Sequence, residues 1–153
     1  MFTFPAPETD AHRFFREMVE PTVAEFIADP SSKRRGCLAC LVLASMNEHY
    51  IHAFSNGTEQ SRRSMKKAFR DENKPLGWIA DVANATRHVQ RLPQYDAIGF
   101  GDIQTMEMGQ CGVLQCGWPS SGEEVLIGPQ HEWRLSALIT YVMEFWRSRL
   151  IET

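Results

Sequence analysis

Apolar residues recur at three- and four-residue spacing as far as Val89 and lose that period beyond Tyr95, dividing the chain into a helical part and a part of short strands and turns. Phe14, Phe15, Met18 and Val19 mark a first helix that Thr9 or Asp10 can cap. Pro21 lacks an N–H and crowds the preceding turn, so it kinks this helix or starts its second half, where Val23, Phe26 and Ile27 continue the pattern. Asp29-Pro30-Ser31-Ser32 stops one helix and caps the next. The second helix, roughly residues 32–55, is apolar all round from Cys37 to Ala44, which predicts a central, surrounded position. From Ser45 its character changes: Ser45, Glu48, His49 and His52 form a polar stripe, and Asn56-Gly57 tolerates the left-handed geometry of a helix end.

A strongly basic helix follows at about residues 61–71, with Arg62, Arg63, Lys66, Lys67 and Arg70 around the small apolar strip Met65, Ala68 and Phe69. Pro75 opens a fourth helix and Pro93 closes it. Beyond it, Gly112 to Trp118 and Glu123 to Ile127 read as an antiparallel hairpin across Pro-Ser-Ser-Gly, with a third strand within 98–108 completing a small meander. Leu135, Leu138, Ile139, Val142, Phe145 and Trp146 form the inner face of a last helix. The expected fold is therefore mainly α (α+β): a bundle of four to five helices around the 32–55 helix, with a small antiparallel β-hairpin or meander before the C-terminal helix, in a single domain over 1–153.

Composition supports a globular reading, with 43% hydrophobic and 23% charged residues among 153. A net charge of −3 gives no global reason to expect nucleic-acid or anionic-membrane binding. The longest uncharged apolar run, Cys37 to Met46, is too short to span a bilayer, and no secretory signal is visible, so a soluble cytoplasmic protein is expected. In that setting Cys37, Cys40, Cys111 and Cys116 read as reduced thiols. Zinc binding by these four is disfavoured, since Cys37 and Cys40 fall in an apolar helix and Cys111 and Cys116 would face opposite sides of a strand. No cofactor is implied, and Gly99-Phe-Gly101 lacks the context of a phosphate loop.

The polar set Asp81-Val-Ala-Asn-Ala-Thr-Arg-His88 stands out within the fourth helix. Helical spacing puts Asp81, Asn84 and His88 on one stripe beside the apolar face of Trp78, Val82, Ala85 and Val89. Asp81 lies two turns, roughly 10 Å, from His88, so His88 needs its orienting partner from Asn84 or from another helix. The Glu48, His49 and His52 stripe can supply one, with Arg87 at the edge of the shared pocket. Three readings stay open: a buried network in which these groups satisfy one another, a ligand or catalytic pocket using His88, Asp81 and Asn84, and a metal held by His49, His52 and His88. The basic helix reads as a solvated face, with a phosphate-contacting patch of Arg62, Arg63, Lys66, Lys67 and Arg70 as its alternative.

The 81–88 run, together with Asp29-Pro-Ser-Ser-Lys-Arg-Arg35 and the Glu-Phe-Trp close of the last helix, resembles a family of small bacterial helical proteins with an Asp-(Ile/Val)-Ala-Asn-(Ala/Gly)-(Ser/Thr)-(Lys/Arg)-His signature and a His-bearing second helix. That resemblance implies no particular reaction. The chain is more loosely similar to the helical HEPN ribonucleases, which carry an Arg-x(4–6)-His pair on a late helix, but positions 81 to 83 hold Asp, Val and Ala where that Arg would precede His88. The reading that follows is a binding or interaction protein, as a homodimer, with a polar pocket between the second and fourth helices for a small polar ligand. Its alternative is a hydrolase, either a divergent HEPN-like nuclease using His88 or a His-ligated metal enzyme.

Overall fold

In the computed structural model, the described residues are 7–88, 99–108, 122–128 and 133–152. They form a mainly helical fold with a small three-stranded antiparallel sheet before the C-terminal helix, as the hydrophobic pattern predicts. Gly112 to Trp118, read above as a strand, lies outside the described residues, as do Cys111 and Cys116.

The first helical stretch is α1 (Asp10–Phe14), a π turn (Phe15–Val19) and α2 (Glu20–Ala28). Pro21 sits in the first turn of α2, and the widened turn ahead of it accommodates the missing N–H and the ring without ending the helix. Thr9 caps α1, and His12 closes the box by accepting from the Thr9 N–H at 3.3 Å. On its other side, Nε2 of His12 lies 3.0 Å from the Leu150 carbonyl, so the imidazole of one helix start satisfies an acceptor in the last turn of another.

Helix α3 (Lys33–Phe54) is capped by Ser32, which accepts from the Arg35 N–H at 3.3 Å. Gly57, just past its end, has φ of +83°, the left-handed geometry expected of Asn-Gly. Cys37, Ala39, Cys40, Leu43 and Met46 are buried, but Leu38 is exposed and Leu41 and Val42 are half-buried, so α3 is central without being surrounded on every side. Gly36 marks its tightest approach: a Cβ there would stand 2.8 Å from a Leu135 methyl and 3.1 Å from the Phe26 ring.

Thr58 caps α4 (Glu59–Glu72), accepting from the Ser61 N–H at 3.1 Å. Asn73 ends α4 and starts α5 (Lys74–Arg87), with Pro75 in its first turn, and it is held by the Tyr141 hydroxyl at 2.9 Å. A 3-10 turn (Phe100–Asp102) leads into β1 (Gln104–Met108), which pairs with β2 (Gly122–Ile127) from Gln104↔Leu126 to Met108↔Gly122. The short β3 (Trp133–Arg134) pairs with β2 on its other side and runs directly into α6 (Leu135–Glu152).

The sheet docks on the α2–α3 turn: the Val125 N–H donates to the Pro30 carbonyl at 2.9 Å and the Thr105 hydroxyl to the Ser31 carbonyl at 2.8 Å. Beneath it, buried Glu124 is ion-paired with Arg134 and accepts from the Ser136 hydroxyl at 2.8 Å, which ties β2, β3 and α6 together. On the other side of α6, Trp146 is fully buried among Tyr50, Phe69 and Phe145, at ring separations of 5.3, 5.7 and 5.0 Å. No helix among the described residues is long and apolar enough to cross a membrane.

Candidate functional site

A cleft of about 450 Å³ opens between α3, α4 and α5. Small residues create it. Gly77 and Ala80 on α5 face Ala44 and Ser45 on α3, and a Cβ added at Gly77 would meet nothing within 4 Å. The α5 wall then becomes polar toward its C-terminus: Gly77, Ala80, Asn84 and Arg87 stand at i, i+3, i+7 and i+10, one stripe of the helix. Helix α3 adds Asn47, Glu48 and His49, and α4 adds Lys66, Phe69 and Arg70. The exposed side chains Glu48, Lys66, Arg70, Asn84 and Arg87 form the rim, while buried Phe69 and half-buried Leu76 lie deeper.

Of the polar residues singled out in the sequence, Ser45, Glu48, His49, Lys66, Arg70, Asn84 and Arg87 line this cleft. Others stand apart from it. Helix α5 stops at Arg87, and His88 follows in extended conformation (φ −122°, ψ 132°), so His88 leaves the stripe that an unbroken helix would have given it. Asp81 is half-buried and lies off the cleft wall, whereas Asn84, Arg87 and His88 are exposed. The stripe of Asp81, Asn84 and His88 beside the apolar face is thus not formed, and the cleft wall is the stripe through Gly77, Ala80, Asn84 and Arg87. Trp78, expected on the apolar face, is half-buried and packs on Trp133 at 4.8 Å between ring centres.

The histidines do not converge. His49 stacks on Phe14, with ring centres 3.9 Å apart and planes at 15°, which fixes its imidazole on the cleft wall; its ring nitrogens carry no hydrogen bond among the described residues. His52 is exposed on another part of α3. Among the described residues no group of three or more His, Cys, Asp or Glu side chains is placed to hold a metal ion, so the set His49, His52 and His88 is not assembled.

Charge along α4 is largely paired. Arg63 reaches Glu59 at 3.0 Å, Lys67 reaches Asp71 at 4.0 Å, and Arg62 donates to the Gly57 carbonyl at 3.2 Å. Lys66 crosses to Glu48 at 2.7 Å and bridges α4 to α3 over the cleft. Arg70 has no ion-pair partner among the described residues, and neither has Arg87 on α5. Of the two α4 cations without an ion pair among the described residues, Arg70 lies at the cleft rim and Arg62 away from it, so the basic helix presents no continuous uncompensated stripe.

One further group escaped the sequence reading. Asn47 lines the cleft with its Oδ1 buried and without a hydrogen-bond partner among the described residues. Nothing in its local sequence marks it, because its neighbours on α3 by helical spacing, Leu43, Tyr50 and Ile51, point to core packing. Gly77 and Ala80 did carry a usable signal: small residues opposite the small pair Ala44 and Ser45 leave room between two packed helices. Comparison of the chain with protein-family models, curated proteins and solved structures finds no match.

Proposed function

We propose that this chain is a non-catalytic binding protein whose α3–α4–α5 cleft holds a small polar ligand. The observation that carries the reading is the cleft itself, about 450 Å³, within the volume range of small-molecule sites, where the apolar residues Ala44, Phe69, Leu76 and Ala80 stand beside a larger set of polar groups. Its polar members are three cations, two amides, an imidazole, a hydroxyl and one carboxylate, Glu48, which Lys66 engages, so donors outnumber acceptors and the set suits an acceptor-rich molecule.

The test uses Gly77→Leu, which projects a side chain into the cleft from a position where an added Cβ meets nothing within 4 Å. A diverse fragment set is screened by thermal shift against the wild type and this variant. The reading expects fragments that stabilise the wild type and leave Gly77→Leu unchanged. If every stabilising fragment acts equally on both proteins, the cleft is not the binding site and the reading fails.

A further inference from the structure

We infer that the molecule this cleft takes is a small organic dianion, with its oxyanion at the rim and an apolar body inside; the inference rests on the binding role proposed above. Three cations stand at the rim, Lys66, Arg70 and Arg87, against one carboxylate, Glu48. Lys66 is engaged by Glu48 at 2.7 Å, which leaves the two guanidinium groups. Two positive charges without carboxylate partners among the described residues gather at one opening of a chain whose net charge is −3. The general charge of the molecule does not produce that local excess.

Arginine is the cation suited to this task. Its planar fork donates two parallel hydrogen bonds to a carboxylate or phosphate, and it stays charged across the accessible pH range. Arg70 and Arg87 come from different helices, α4 and α5, so an oxyanion between them also joins those helices. Inside the rim, Phe69 is buried and Leu76 half-buried, and neither offers a polar side-chain atom. An inorganic anion would leave that interior empty, whereas an organic anion of moderate size fills it. Phosphate monoesters and dicarboxylates share the required chemistry, two negative charges on acceptor oxygens.

Isothermal titration calorimetry with four probes tests this: phenyl phosphate, phthalate, neutral benzamide and cationic phenyltrimethylammonium. Each is titrated into the wild type, Arg70→Gln, Arg87→Gln and Gly77→Leu, with circular dichroism confirming that each variant is folded. The expected result is binding of phenyl phosphate or phthalate to the wild type, about tenfold weaker in each arginine variant and absent in Gly77→Leu. The stronger of the two anions then assigns the oxyanion. Benzamide or phenyltrimethylammonium binding as tightly as either anion, and lost in Gly77→Leu, would overturn the dianion inference while leaving the binding role intact. Anion binding that survives both arginine substitutions overturns it as well. Absence of binding by all four probes overturns the inference, and the fragment screen with Gly77→Leu decides the binding role separately.

Discussion

Asn47 bears a cost that a purely structural residue at that position would avoid. A buried acceptor without a partner costs about 1–3 kcal/mol relative to a satisfied one, and an apolar side chain of similar shape removes the cost. Asn47→Leu is therefore expected to stabilise the fold by about 1 kcal/mol in urea denaturation. A loss of stability would mean that the amide has a structural role. Glu124 presents the opposite case. It is buried, ion-paired with Arg134 and hydrogen-bonded to Ser136, and removing one member of such a cluster leaves a charge in a poorly solvated place. Glu124→Ala should cost about 2–4 kcal/mol, toward the lower part of the range for buried pairs because the Arg134 side chain is 19% exposed. Cys40 is quieter: burial, with a smaller contribution from Cys37, pushes its thiol well above the ordinary range, which suppresses the reactive thiolate. Peptide mapping after native-state alkylation should find Cys40 unmodified, and denaturant should release it. Labelling of native Cys40 within minutes would show that α3 opens far more readily than its packing implies.

At the scale of elements, two glycines in helices separate close packing from open space. Gly36→Ala adds a methyl 2.8 Å from Leu135 and 3.1 Å from Phe26, where all three helices meet with no slack. Overpacking costs about 1–3 kcal/mol and alanine returns about 1 kcal/mol of helix propensity, so the net expectation is a loss of about 1 kcal/mol. Gly77→Ala meets no neighbour and should gain about 0.5–1 kcal/mol. Denaturant midpoints of the two variants moving in the same direction would contradict this contrast. Most helix limits were legible because capping residues and prolines mark them: Thr9 and Ser32 cap as expected, and Pro21 and Pro75 sit where a missing N–H is tolerated, whereas the Thr58 cap starts α4 at Glu59, ahead of the expected start at about 61. The end of α5 was not legible. The apolar pattern runs on through Val89, and only the turn to extended geometry at His88 removes that residue from the helix. The pairing of β2 was also hidden, since alternation identifies a strand but not its neighbour; β1 and β3 on its two edges are a consequence of tertiary register.

For the molecule as a whole, the cleft was half visible in the sequence. Polar residues on facing helices announce it through Glu48, His49, Asn84 and Arg87, but its third wall reads as a solvated basic face because no periodicity tells which exposed cation turns toward a neighbour. That third wall, α4, is also the most loosely held helix. Phe69 is the only buried residue among its 14, whereas α6 buries Leu135, Leu138, Ile139, Val142, Met143, Trp146 and Leu150. Met65 adds a partly buried apolar contact, and the ion pairs from α4 to other helices are exposed, Lys66 with Glu48 at 2.7 Å and Glu72 with Arg149 at 3.8 Å, each contributing roughly 0–1 kcal/mol. Helix α4 should therefore open without global unfolding, and its amides should exchange with solvent faster than those in the middle of α3 and α6. Because Arg70 belongs to α4 and Arg87 to α5, a dianion bound between them holds α4 closed. At a ligand concentration of about ten times Kd, α4 exchange should slow roughly tenfold, with little change in the core of α6. Hydrogen exchange followed by mass spectrometry, with and without the stronger anion, measures both effects. Equal exchange in α4 and α6 in the free protein would show that α4 opens only with the rest of the fold, and the cleft would then be a rigid site without a hinged wall.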